Sequence, residues 1–134
     1  MNEKSLLQLY IGVLLLMITP IFRIFDIEKA HSFYIKYLGF KLDWKHQYEE
    51  NMPFYFQISL NEDVIHLSEH HGDSTPGSSI RINIDEGLER YHLSLSEKGY
   101  LYSRPAIEKT SWGTIEITVI DPFSNRITFY EEVK

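Results

Sequence analysis

A chain of 134 residues, 43% hydrophobic and 24% charged, has the size and mix of one soluble domain with a single core. The absence of cysteine excludes disulfides, thiolate nucleophiles and zinc–thiolate sites, and agrees with a reducing, cytoplasmic setting. Nineteen acidic residues against thirteen basic ones, a net charge of −6 and no basic cluster argue against a groove that reads nucleic-acid phosphate, and favour cationic ligands instead.

From Leu6, just past Lys4, the chain is apolar to Ile18, interrupted by Gln8 and Gly12. This run is short for a membrane helix, and no small-x-small cleavage pattern follows it, so a membrane association is not expected. Residues 1–16 read as an apolar extension, with a targeting segment or a start site set too far upstream as the alternatives. Residues 17–134 read as the domain.

A first strand is expected from Met17 to Phe25. Asp26 has N-cap chemistry, and apolar residues at 27, 30, 34, 37 and 38 keep helical spacing up to Gly39, which can take positive φ at the helix end. Three strands follow: Lys41 to His46, Phe54 to Leu60 and Val64 to Ser68, then a polar loop over 69–77. The second half starts over at Ser78 to Ile84. Asp85 is placed to cap a helix that runs to Lys98 and ends at Gly99. Tyr102 to Pro105 reads as a short strand, 108–111 as a polar loop, Thr114 to Ile120 as a strand, 121–125 as a turn and Arg126 to Glu131 as the last strand.

The repeat is the most informative feature. Phe25-Asp26 opens one helix and Gly39-Phe40 closes it; Ile84-Asp85 opens the other and Gly99-Tyr100 closes it. The expected fold is α+β: paired βαβββ modules, about 17–72 and 78–132, forming a curved mixed sheet around a cleft.

Several side chains could serve such a cleft. His66 shares a strand face with Val64 and Ser68, opposite Ile65 and Leu67, so it can look into the cleft while its neighbours pack beneath the helix. His70 and His71 fall in the loop and are expected to be solvated, and His31 and His92 lie in helices without a clear partner. Glu116 has the opposite parity to Ile115, Ile117 and Val119, which places it on a wet face or in the cleft. Trp44, Tyr55 and Trp112 can stack on a ligand or pack at a core or edge. No glycine-rich phosphate loop, G-x-S-x-G or H-E-x-x-H occurs. Asp121-Pro122-Phe123-Ser124-Asn125-Arg126 reads as a tight turn with Asn125 left-handed.

The sequence resembles the vicinal-oxygen-chelate superfamily of glyoxalase I, extradiol dioxygenases and bleomycin-resistance proteins, and the last group most of all. The matching stretches are Arg23-Ile24-Phe25-Asp26 with Phe33-Tyr34 and Leu38-Gly39-Phe40, Leu67 through Asp73, Trp112-Gly113, and Asp121-Pro122 with Asn125-Arg126. The resemblance implies a homodimer. Its metal-dependent members take ligands from the first and fourth strands of each module, which here fall near Thr19, His66, Ser79 and Thr128. Only His66 is a good metal ligand. The resemblance therefore implies no metal and no cofactor. The expected function is non-catalytic binding and sequestration of a bleomycin-family or similar cationic or planar antibiotic, giving resistance, with Trp44, Tyr55, His66, Trp112 and Glu116 as ligand-binding residues. The alternative is a metal-dependent lyase or dioxygenase acting on a small molecule.

Overall fold

The computed structural model describes residues 17–134, so the expected extension over 1–16 lies outside the described residues. The first module comprises β1 (Ile21–Arg23), α1 (Ile27–Ala30, continuing as a π-helical stretch His31–Tyr37), β2 (Lys41–Gln47), β3 (Phe54–Leu60) and β4 (Asp63–Ser68). The second comprises β5 (Ser79–Asn83), α2 (Leu88–Glu97), β6 (Glu108–Lys109), β7 (Thr114–Ile120) and β8 (Arg126–Glu132). Each module forms its own four-stranded mixed sheet, in the orders β1-β4-β3-β2 and β5-β8-β7-β6. The first and last strands of each module pair in parallel, and the helix supplies the crossover that a parallel pair requires.

Period-two alternation decides what each sheet buries. Phe22, Phe56, Ile58, Ile65 and Leu67 of one sheet, and Ile82, Ile117, Val119, Ile127 and Phe129 of the other, join one core with Phe33, Tyr34, Tyr37, Leu88 and Leu95 of the helices. The intervening residues stand on the sheet face turned away from that core. No helix among the described residues is long and apolar enough to cross a membrane.

The modules are joined by a buried turn. One Asp121 oxygen accepts the backbone N–H groups of Phe123 and Asn125, both at 2.8 Å. The other accepts the Tyr34 hydroxyl of α1 at 2.6 Å and the Asn125 amide at 2.8 Å. That amide also donates to the Arg23 carbonyl of the first module, at 2.9 Å. The tight turn is thus also the joint between the halves. Its left-handed residue is Ser124 (φ 73), not Asn125, whose side chain bridges the modules.

Four further local expectations change. The first strand is confined to Ile21–Arg23, where the parallel bonds to β4 run. Asp85 does not cap α2: Gly87, at φ 92, holds the cap position, and the Leu88 N–H donates to Glu131 at 3.3 Å. The edge strand is Glu108–Lys109 and not 102–105; two charges on a short edge discourage further strand addition. His92 has a partner, its Nε2 lying 2.7 Å from the Pro105 carbonyl.

Candidate functional site

The first module's sheet carries a β-bulge that decides which side chains reach its open face. Leu42 pairs with Ile58, yet Trp44, two residues on, pairs with Gln57, so Asp43 is the extra residue. In unbroken alternation Trp44 would fall on the core face. The bulge moves Trp44 and His46 to the open face and sends Lys45 to the other side, where its ammonium lies 5.0 Å from the Phe54 ring centroid. The bulge is fastened by Asp43 itself, which accepts from Gln57 at 3.1 Å and Ser59 at 3.0 Å.

Trp44, Tyr55 and His66, three of the residues singled out in the sequence, meet on this face. Trp44 and Tyr55 lie nearly parallel, 14° apart, with centroids 6.0 Å apart. His66 presents its ring edge-to-face to both, at 5.3 Å and 5.1 Å. A hydrogen-bonded chain runs beneath the rings. Gln57 donates to Asp43, so its carbonyl oxygen faces His66 Nε2 at 2.9 Å. His66 Nε2 therefore carries the proton, and Nδ1 accepts from the Tyr55 hydroxyl at 2.7 Å. Burial lowers the His66 pKa, which keeps this tautomer neutral. Burial first, and the Asp73 charge second, raise the Tyr55 hydroxyl, which stays protonated as the donor.

Next to these rings is a cavity of about 400 Å³ lined by Trp44, His46, Tyr48, Tyr55, His70 and Asp73. His70, expected to be solvated, is half-buried, and its Nε2 is shielded from solvent without a hydrogen-bond partner. His71 is exposed, as expected.

Trp112 and Glu116 lie on the open face of the second module and do not join the first three. Glu116 is buried by a partner the sequence reading did not name. Arg81 grips both carboxylate oxygens, at 3.2 Å and 2.6 Å, and lies over the Tyr130 ring at 4.5 Å. Thr114 adds a bond of 2.7 Å. Arg81 is the main cause that holds the Glu116 carboxyl below its ordinary value, with Thr114 and Trp112 adding to it against desolvation. Trp112 is 70% exposed. The available signal was Arg81 in Ser79–Asn83, a charge of opposite parity to Ile80 and Ile82.

The strand registers also test whether the donors suit a metal. His66 stands beside Ile21, and Thr128 beside Arg81. The side chains that share a face with these fourth-strand positions are thus Ile21 and Arg81, not Thr19 and Ser79. An alkyl chain and a permanently charged guanidinium are not metal ligands, and the Thr128 hydroxyl is shared with Thr118 at 2.9 Å. Both His66 ring nitrogens are already engaged. Among the described residues no three His, Cys, Asp or Glu side chains converge on a point. The residues at these positions do not fit a divalent metal.

Comparison with solved structures finds the same fold in proteins of low sequence identity. A bleomycin-binding protein complexed with bleomycin superimposes with a TM-score of 0.67 at 17% identity, covering 88% of this chain and 99% of that one. A glyoxalase/bleomycin resistance/dioxygenase superfamily member from Sphaerobacter thermophilus gives 0.64 at 22% identity, covering 89% and 99%. An antibiotic-binding protein from Streptomyces gives 0.61 at 20% identity, covering 87% and 97%. A search of curated protein sequences finds no match. The model of a glyoxalase superfamily protein family matches residues 4–134, nearly the whole sequence. The chain belongs to the glyoxalase superfamily.

Proposed function

We propose that this protein binds and sequesters a bleomycin-family or similar cationic, planar-ringed antibiotic without transforming it, and so acts as a cytoplasmic resistance protein. The observation that carries this reading is the ring surface of the first module: a bulge delivers Trp44 onto Tyr55 and His66, beside a cavity with one carboxylate and no basic side chain other than histidine. Stacked rings offer burial and π faces to planar or cationic groups, and the net charge of −6 assists their approach. In this reading Trp112, 70% exposed, is the second module's contribution, and Glu116 stands beside it with its charge met by Arg81.

A homodimer belongs to the same reading. Each sheet leaves one face uncovered, and a second copy would turn open faces into walled clefts. Sequestration then works by mass action, holding the drug away from its target.

Metal-stripped protein titrated with a bleomycin-family compound by calorimetry tests the reading. Saturable binding, unchanged when zinc is added, is expected. No binding in either state contradicts it, and binding that appears only with zinc favours metal-dependent chemistry instead.

A further inference from the structure

We infer that the cavity between Trp44, Tyr48, Tyr55 and Asp73 is a subsite for a methylated, quaternary ammonium group. The inference rests on the ligand-binding reading above and narrows it to one chemical class. Three aromatic side chains contribute to the walls. Ring faces carry negative potential and attract cations that shed water easily, as methylated ammonium groups do. The Tyr48 ring stands edge-to-face with His46, at 4.5 Å and 86°, and with His70, at 6.0 Å and 90°. The rim is thus ring against ring.

Desolvation selects among cations. A primary ammonium brings three N–H donors that all need partners on desolvation. Six side chains line the space and one of them carries a formal negative charge, so the attraction it offers a cation is mainly that of ring faces. The Tyr55 hydroxyl is engaged with His66. One Asp73 oxygen already accepts from Ser68 at 2.6 Å, and the other has no partner among the described residues. A quaternary ammonium brings no donors, so one nearby carboxylate charge and the ring faces suffice. No lysine or arginine lines the cavity to repel a cation, since the bulge has sent Lys45 to the opposite face. The space of about 400 Å³ leaves room for a choline-sized head and the start of a larger molecule.

Choline and its neutral isostere 3,3-dimethyl-1-butanol separate charge from shape. The full chain is titrated with each while the indole N–H resonances of Trp44 and Trp112 are followed by NMR. Choline is expected to shift the Trp44 resonance with a midpoint at least about tenfold below that of the isostere, a ratio in the range of a cation–π preference. Asp73→Asn, an exposed loop change, is expected to weaken choline severalfold and leave the isostere unchanged. Equal midpoints for the two compounds, no choline-induced shift at any soluble concentration, or a choline midpoint at the Trp44 resonance unchanged by Asp73→Asn would overturn the assignment. A bleomycin-family compound that binds where choline does not leaves the broader reading standing and removes this subsite. Choline binding with no antibiotic binding does the reverse.

Discussion

The two modules share a fold and differ in what they place on equivalent positions. Strand register aligns Tyr55 with Glu116, Gln57 with Thr118, His66 with Thr128 and Ile21 with Arg81. The first module fills these places with neutral groups, a tyrosine and a histidine joined through hydrogen bonds and roofed by Trp44. The second fills them with an arginine–glutamate pair laid on Tyr130 and two mutually bonded threonines. The second face thus satisfies its own charges, while the first leaves ring faces and an unpaired carboxylate oxygen open to a ligand. A repeated scaffold carries a self-satisfied half beside the half to which the proposed function assigns the ligand.

The largest effect is expected where the halves are held together. Asp121→Ala would leave the Tyr34 hydroxyl and the Phe123 and Asn125 N–H groups buried without acceptors. A loss of about 3 kcal/mol in urea unfolding is expected. A loss within experimental error would mean that the joint is not what positions the two sheets.

Deleting Asp43 tests the receptive half. Removing the extra residue leaves Trp44 next to Leu42 and still opposite Gln57 on the open face, while the bonds from Gln57 and Ser59 to Asp43 are lost; a cost of about 2 kcal/mol and retained ligand-induced shifts at the Trp44 indole are expected. Loss of those shifts would show that the Asp43 carboxylate, and not the pairing of Trp44 with Gln57, holds the binding face.

On the self-satisfied half, Arg81→Ala strands the Glu116 carboxylate with Thr114. Because Arg81 is itself half-exposed, the expected loss is only about 1 kcal/mol. Ligand shifts at Trp44 should persist in this variant.

The smallest effect is the pH response. The folded His66 pKa lies below its ordinary value of 6.5, so the unfolded chain binds more protons as pH falls through the window just below 6.5. Stability attached to His66 is therefore present above 6.5 and is lost as pH drops through the folded value. Glu116, also lowered, gives up its share further down, below 4.5. His66→Gln should flatten the upper part of a stability–pH curve and leave the lower part in place.

Much of the fold was legible in the sequence because it follows from local chemistry. Gly39 and Gly99 take the positive φ their helix ends need, and Phe54–Leu60 and Thr114–Ile120 alternate as half-buried strands. The repeat of helix and closing glycine carried the module count, although Asp85 does not cap α2 as Asp26 caps α1. What was not legible depends on register or on distant partners. One inserted residue at Asp43 leaves no composition signal, yet it reverses the facing of Trp44. Arg81 and Glu116 are 35 residues apart and meet only through the order of β5, β8 and β7. Tyr48, His70 and Asp73 come from connections whose paths alternation does not predict. Of the five side chains expected in the cleft, three meet and two stand on the other sheet, because a single chain folds its modules into separate sheets.

The receptive face can be read directly from the two tryptophans, one on each half. Metal-stripped protein is titrated with a bleomycin-family compound while both indole N–H resonances are recorded in one spectrum. Saturable movement of the Trp44 resonance, with the same midpoint in the absence and presence of zinc, is the predicted result. Binding recorded by calorimetry while Trp44 stays still, or movement that begins only when zinc is added, would contradict a metal-free binding face in the first module.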